Sequence, residues 1–217
     1  TMGAKSEPPR AQSLEGALPR GELLIAHDPN AGEVTEVRTL VVQSSLAELK
    51  AHGYYERYVK CIAAATREDL ESRVAPGWIP VAMVVEHYQA CEDMGLSNEE
   101  LSAMGRSVGE RLQSAALVTL AKKAREEDFD LWQIEAQFHR MWQRLYRGGS
   151  VQVIRLGLKE KQLEQRGYPM SRFRYYRQGT LTALTAIHSA VGVQITQARI
   201  EKHDPATCSV SARLPWA

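Results

Sequence analysis

The spacing of apolar residues changes near residue 150, and this change constrains the fold more than any other feature of the chain. Before it, apolar residues recur every three or four positions, the period of an amphipathic helix. After it, the run Val151-Gln-Val-Ile-Arg-Leu-Gly-Leu158 is apolar and β-branched without that spacing, which favours a strand beginning at Ser150. Helices followed by strands predict an α+β fold.

Three helices are predicted in the middle of the chain. The first follows Pro80 and ends near Gly95. The second begins at Ser97-Asn-Glu-Glu100, which has the Ser-x-x-Glu form of a capping box, and extends to about residue 123. The third ends at Gly148-Gly149, and its core stripe consists of Leu131, Ile134, Phe138, Met141, Trp142 and Leu145.

The end of the chain reads as strand, helix and β-hairpin. A helix is predicted from Ser171 to about Gly192, followed by strands at residues 193–200 and 207–214. Another strand is predicted at residues 34–42. We expect a helical layer packed on a small antiparallel sheet, in one ligand-binding-type domain of residues 34–217. Residues 1–33 are rich in proline and poor in apolar residues, which predicts a mobile N-terminal tail.

Composition excludes several classes of protein. The 27 basic and 26 acidic residues leave a net charge of +1, so no overall field favours nucleic acid or an anionic membrane. No apolar run approaches the roughly 18 residues of a membrane span, and no signal-peptide core is present. The three cysteines are far apart, so they form neither a disulfide framework nor a metal clip. We therefore expect a cytoplasmic protein without a membrane partner.

Two helix flanks supply candidate ligand-binding residues. On the third helix, Glu135 precedes His139 by four residues, close enough to fix the tautomer of the imidazole. The same helix and its end carry Trp132, Glu135, His139, Trp142 and Tyr146. On the first helix, His87 lies between Met83 and Met94. Both flanks are also compatible with ordinary core packing, and no residue pattern indicates a metal site.

Residues 144–177 hold nine bases and two acids, a local balance of +7. Interleaved tyrosines would suit an anionic ligand or single-stranded nucleic acid. An acidic stretch that includes Glu86 and Glu92 could instead neutralise this segment, within the fold or across a dimer, which makes nucleic acid an unlikely partner. No phosphate loop, dinucleotide motif, nucleophile elbow or zinc helix is present, so no catalytic residue is assigned.

Three segments carry a family resemblance: Met104-Gly-Arg-Ser-Val-Gly-Glu-Arg111, Tyr176-Arg-Gln-Gly-Thr-Leu181 and the terminal Leu214-Pro-Trp216. With the order of elements, they resemble an uncharacterised myxobacterial paralogue family related in fold to heme-nitric-oxide-binding sensor domains and the 4-vinyl reductase ligand-binding domain. The heme branch of that superfamily carries Tyr-x-Ser-x-Arg, whereas this chain has Tyr168-Pro-Met-Ser-Arg172. The resemblance leaves the cofactor unknown and implies that the domain is often dimeric.

These observations favour a non-catalytic sensory or regulatory domain that binds a small hydrophobic or anionic ligand, a protein partner, or both. Two alternatives remain open at this point: a cofactor-dependent enzyme without a recognisable motif, and a basic adaptor for nucleic acid. A homodimer is predicted because the C-terminal strand offers short polar side chains and few charges to discourage pairing with a second copy.

Overall fold

A computed structural model of the chain describes residues 21–113 and 131–217. The helices of these ranges are α1 (Thr39–Ala51), α2 (Tyr55–Val59), α3 (Ala64–Ser72), α4 (Val81–Asp93), α5 (Asn98–Gln113), α6 (Leu131–Gln143) and α7 (Arg174–Ala190). The strands are β1 (Glu22–Ile25), β2 (Glu36–Arg38), β3 (Trp78–Pro80), β4 (Tyr146–Arg147), β5 (Ser150–Gly157), β6 (Glu160–Arg166), β7 (Arg199–Asp204) and β8 (Ser209–Pro215). Helices packed with antiparallel sheets confirm the predicted α+β fold.

The strands form two antiparallel sheets. The larger sheet has the order β1-β5-β6-β8-β7, and the smaller has the order β3-β2-β4. Val37, Ile79 and Tyr146, one from each strand of the smaller sheet, are buried in the main core. Alternate residues of a strand share one face, so Lys161, Leu163 and Gln165 of β6 point the same way. That face is covered by α6 and α7, because Lys161 contacts Glu135 of α6 and His188 of α7.

Local sequence signals set the helix starts. The capping box predicted before α5 is present: Ser97 N donates to Glu100 Oε2 at 2.6 Å, and Glu100 N donates to Ser97 Oγ at 3.2 Å. The start of α7 is capped by a residue that is far away in the sequence: Tyr175 N in the first turn of α7 donates to Glu92 Oε2 at 2.8 Å. A carboxylate is favourable there because the first-turn amides lack helical partners.

Glycines let α5 and α7 pack closely. A Cβ at Gly105 would lie 2.7 Å from the carbonyl oxygen of Gly179, and a Cβ at Gly109 would lie 2.9 Å from Cα of Ala183. Both contacts are too short for a real side chain, so only glycine permits this approach. The Gly105-Arg-Ser-Val-Gly109 segment is therefore a helix-packing feature.

The structure corrects several predicted strands. Residues 34–42 do not form one strand, because β2 ends at Arg38 and α1 begins at Thr39. In α1, Val42, Leu46 and Leu49 are buried at helical spacing, which outweighs the strand preference of the valines. The single strand predicted after Ser150 is a hairpin, β5 and β6. The C-terminal hairpin begins at Arg199 rather than at residue 193.

Part of the predicted tail belongs to the larger sheet. Residues Glu22–Ile25 form β1, which pairs antiparallel with β5, so this segment is an edge strand rather than a mobile tail. Val34 is also buried. Residues 1–20 of the predicted tail lie outside the described residues, as do residues 114–130, which include the predicted end of the second helix. The limits of the domain, residues 34–217, therefore stay a prediction.

The C-terminal strand is not an edge strand. β8 lies between β6 and β7 and is hydrogen-bonded to both, and Ser211 on its predicted polar face is buried. The prediction of a homodimer assumed that this strand exposes a row of unpaired amides, and that assumption is wrong. The edges of the larger sheet are β1 and β7. Within the described ranges, no helix is both long enough and apolar enough to cross a membrane.

Candidate functional site

A cleft of about 420 Å³ lies between the loop that follows β1 and the end of α6. This volume falls within the range of about 300–1,000 Å³ typical of small-ligand pockets. Its lining combines polar and aromatic groups: Ala26, Asp28, Asn30, Ala31, Gly32, His139, Gln143, Tyr146, Gly148, Gly149, Ser150, Val151 and Tyr168. Two of the predicted site residues, His139 and Tyr146, thus lie in the wall of one cleft.

Consecutive glycines build one side of the cleft. Gly148 and Gly149 have φ angles of 83° and 71°, in the left-handed region that favours glycine. Gly149 N donates to the Gly32 carbonyl at 2.8 Å, and a Cβ at Gly148 would lie 2.2 Å from the Glu33 carbonyl oxygen. The Gly148-Gly149 pair predicted to end α6 therefore also lets the segment after β1 cross close to the β4–β5 connection.

His139 has a ring nitrogen without a hydrogen bond. Its Nδ1 is buried and finds no partner among the described residues, while burial lowers the pKa of the imidazole below its usual value. The expectation that Glu135 fixes the tautomer of His139 is wrong, because the Glu135 carboxylate binds Lys161 and His188 instead. His139 thus presents a neutral imidazole with an unused polar atom, which a ligand can satisfy.

Glu135, Lys161 and His188 form a buried polar triad. The Lys161 ammonium donates to Glu135 and, at 2.6 Å, to His188 Nε2, which lies 2.9 Å from Glu135 Oε1. His188 Nδ1 donates to the Leu184 carbonyl at 2.7 Å, which fixes the orientation of the ring. Lys161 is 1% exposed and Glu135 is 4% exposed. A charge so deeply buried is tolerated because its partner is equally buried.

The triad predicts a pH dependence of stability. Burial alone would raise the pKa of Glu135, but the charge of Lys161 and the hydrogen bonds outweigh it and lower the pKa to about 2. Because this lies below the unfolded value, the contribution is present above pH ~4.5 and is lost as the pH falls towards 2; the difference corresponds to ~3 kcal/mol. Burial also lowers the pKa of Lys161, which reduces the net gain from the pair.

Chemical denaturation between pH 7 and pH 2.5 measures this contribution, with Glu135→Gln as the comparison. We expect the wild-type free energy of unfolding to fall more steeply with acid than that of Glu135→Gln, because glutamine has no carboxyl group to protonate. Parallel pH profiles for the two proteins would contradict an ionised Glu135 in the native state.

Trp142 and Tyr146 connect the cleft to the helix core. Their rings lie 5.4 Å apart, and the ring of Tyr146 lies 5.2 Å from that of Tyr168. Both line an apolar space of about 60 Å³, the helix pocket, together with residues such as Tyr88, Met104, Tyr175 and Tyr176. Trp142 also lines a smaller cavity of about 20 Å³, the seam cavity, with Glu135, His139, Val151, Val153, Leu163, Gln165 and Leu184.

Two predicted site residues lie elsewhere. Trp132 contacts the ring of Trp216 at 5.4 Å between centroids and lies under the Arg155 guanidinium, so it packs at the sheet. His87 is fully buried, and its nitrogens contact Tyr58 Oη at 2.9 Å and Ser45 Oγ at 3.0 Å. Burial lowers the pKa of His87 to about 3. His87 is therefore a neutral core residue that lines neither the cleft nor the seam cavity.

Sequence reasoning missed Lys161, Gln165 and His188. The signal for the first two is the alternation Lys161, Leu163, Gln165, which becomes visible only once β6 is recognised as a strand of its own. His188 lies one turn after Leu184 on the apolar side of α7, and its carboxylate partner is 53 residues away, so no local spacing reveals the pair. The side chains of Leu131, Ile134, Phe138 and Met141 in the predicted α6 stripe lie outside the described set.

Comparison with known proteins shows which solved structures share this fold. No protein-family model and no curated protein matches the chain. Among solved structures, it is similar to the Fe(II) unliganded H-NOX protein from K. algicida, with 12% identity over 83% of this chain and 96% of that chain and a TM-score of 0.60. The fold is that of H-NOX domains.

Two further solved structures agree. A Cs H-NOX mutant with 4-cyano-L-phenylalanine has 11% identity over 82% of this chain and 96% of that chain, with a TM-score of 0.51. A protein studied for heme redox potential and porphyrin distortion has 12% identity over 82% of this chain and 99% of that chain, with a TM-score of 0.53. At such identities, the likeness concerns the fold.

The described residues do not fit a porphyrin, the group named for one of these similar structures. The helix pocket of about 60 Å³ is several times smaller than a ligand pocket, since aromatic rings and the close α5–α7 packing fill that region. Among the described residues, neither the helix pocket, the seam cavity nor the cleft is lined by an arginine or lysine that could pair with heme carboxylates. Arg172 of the Tyr168–Arg172 segment is exposed and lies over Phe173 instead.

Proposed function

We propose that this chain is a non-catalytic sensory or regulatory domain that binds a small ligand in the cleft. The observation that carries the proposal is His139, which lines a cleft of about 420 Å³ and whose buried Nδ1 lacks a partner among the described residues. Buried polar atoms are normally paired, so an unpaired one beside a cavity indicates a missing ligand or water. The H-NOX fold supports a ligand-binding sensory role by analogy, since one similar solved structure concerns the redox potential of a bound heme.

Native mass spectrometry of the purified protein tests the proposal. We expect a bound small molecule in the wild type, without the visible absorption band of heme. His139→Ala should lower its occupancy about fivefold, the effect of one hydrogen bond. Ala31→Phe, which places a ring in the cleft, should abolish the bound mass.

His203→Ala is the matched control. Its Nε2 is also buried and without a partner in the described residues, but His203 lies on β7 and does not line the cleft. Occupancy in this variant should equal that of the wild type. A wild-type protein that carries no bound mass, or an Ala31→Phe variant that keeps it, would sink the proposal.

The nucleic-acid alternative is less well supported. Four bases of the segment at residues 144–177 pair with carboxylates within the fold: Arg147 with Glu36, Arg155 with Glu22, Arg166 with Glu164 and Arg174 with Glu92. Lys161 is buried as well. Steep salt-dependent binding to oligonucleotides would revive this alternative, and turnover of a bound species would favour a cofactor-dependent enzyme.

The partner and location remain proposals too. We propose that the protein is cytoplasmic and that it belongs to the myxobacterial family related to the 4-vinyl reductase domain, on the basis of the residues that carry the resemblance.

The predicted homodimer would have to form through another surface, because β8 is paired on both sides. Sedimentation equilibrium at tens of micromolar, where weak specific interfaces assemble, should show a species of twice 24.3 kDa; a single 24.3 kDa species would contradict the dimer.

A further inference from the structure

A polar seam runs between α6 and β6. Glu135, His139 and Trp142 follow one another at helical spacing on α6, and Lys161, Leu163 and Gln165 alternate on the facing strand. At one end of the seam, the Glu135–Lys161–His188 triad is fully hydrogen-bonded. Around the seam cavity, which Glu135 also lines, the pairing among the described residues is incomplete.

Three residues that line the seam cavity each carry a buried polar atom without a hydrogen bond of normal geometry among the described residues. The atoms are His139 Nδ1, Trp142 Nε1 and Gln165 Nε2, and the Trp142 indole has a polar contact with Tyr168 outside that geometry. Gln165 is only 1% exposed, and its Oε1 is used by the Tyr176 hydroxyl at 3.5 Å. The amide NH₂ of Gln165 is therefore the group of this side chain that is left without a hydrogen bond among the described residues.

The chemistry of these atoms defines what the seam cavity can hold. An indole N–H and an amide NH₂ are donors, so they require an acceptor. The volume of about 20 Å³ is sufficient for one water-sized group. The Glu135 carboxylate lines the same cavity, which disfavours an anion. A neutral acceptor oxygen satisfies all three constraints.

The seam cavity and the cleft share a wall. His139 and Val151 line both, so the two spaces adjoin at these two side chains. We propose that the seam cavity receives the terminal oxygen of a neutral carbonyl or hydroxyl ligand whose body occupies the cleft. This inference rests on the proposed ligand site and adds the class of ligand.

Nuclear magnetic resonance with two probes of equal shape tests the inference. Cyclopentanone carries an acceptor oxygen and cyclopentane does not. We expect cyclopentanone to shift the Trp142 indole N–H signal saturably, whereas cyclopentane leaves it in place. Trp142→Phe assigns that signal. Gln165→Leu should weaken cyclopentanone binding roughly fivefold, the loss of one hydrogen bond.

Gln162→Leu is the matched control, because Gln162 lies on the opposite face of β6 and should leave the affinity unchanged. Shifts at Gly149 and other cleft amides without a shift at Trp142 would overturn the inference and leave the ligand site standing. The inference would also be overturned if cyclopentanone and cyclopentane shifted the Trp142 indole N–H signal equally. Such a result would mean that the signal responds to the shape of the probe, or that a water which neither probe displaces occupies the seam cavity. No shift at either place would overturn both.

Discussion

Glu135→Ala is expected to lower the free energy of unfolding by about 3–5 kcal/mol, because it leaves the ammonium of Lys161 buried without its counter-charge. Lys161 is 1% exposed, and its hydrogen-bond partners within the described residues are Glu135 and His188. Because the Lys161 side chain is buried, neither solvent water nor a move of the side chain into solvent can stabilise the unpaired ammonium at low cost. Urea denaturation at pH 7 measures the effect.

The double variant Glu135→Leu with Lys161→Met distinguishes the cost of an unpaired buried charge from the net contribution of the ion pair to the free energy of unfolding. Apolar residues of similar volume often replace a buried ion pair at little cost, so we expect the double variant to be much closer to wild type than Glu135→Ala. If the single and double variants lose the same free energy, the loss comes from packing rather than from the unpaired charge.

Trp142→Ala is expected to cost about 3 kcal/mol, at the lower end of the range for buried tryptophan. The side chain is half-buried, yet it packs against the main core and lines both the helix pocket and the seam cavity. Its removal would join the two spaces into a larger void that the surrounding rings cannot fill. The free energy of unfolding from urea denaturation measures this cost.

Trp132→Ala is the comparison within the same helix. Trp132 lies at the sheet between Trp216 and the guanidinium of Arg155, where a neighbouring side chain can cover the gap. We expect a loss of about 1–2 kcal/mol there, mostly from the ring and cation contacts. A larger loss for Trp132→Ala than for Trp142→Ala would mean that the core of this helix lies on its other flank.

The fold class and most helices could be predicted because their signals are local. The Ser97–Glu100 capping box and the Pro80 start of α4 act within a few residues, and both are present in the structure. The helix end predicted at Gly148-Gly149 is wrong, because α6 ends at Gln143 and β4 lies between the helix and the glycines. Short strands gave weaker signals. The three-stranded sheet and the β5–β6 hairpin depend on pairing with distant strands, which composition does not reveal.

In the candidate site too, some features follow from local sequence and others depend on contacts between distant residues. The position of Glu135, His139 and Trp142 along one side of a helix follows from their spacing alone, since helical spacing brings such residues together. Tertiary packing turns Glu135 to Lys161 and His188, 26 and 53 residues away, and leaves His139 Nδ1 without a partner among the described residues. The physical reason is that a buried carboxylate is held by the nearest buried cation, and packing of α6 on β6 and α7 sets which cation that is.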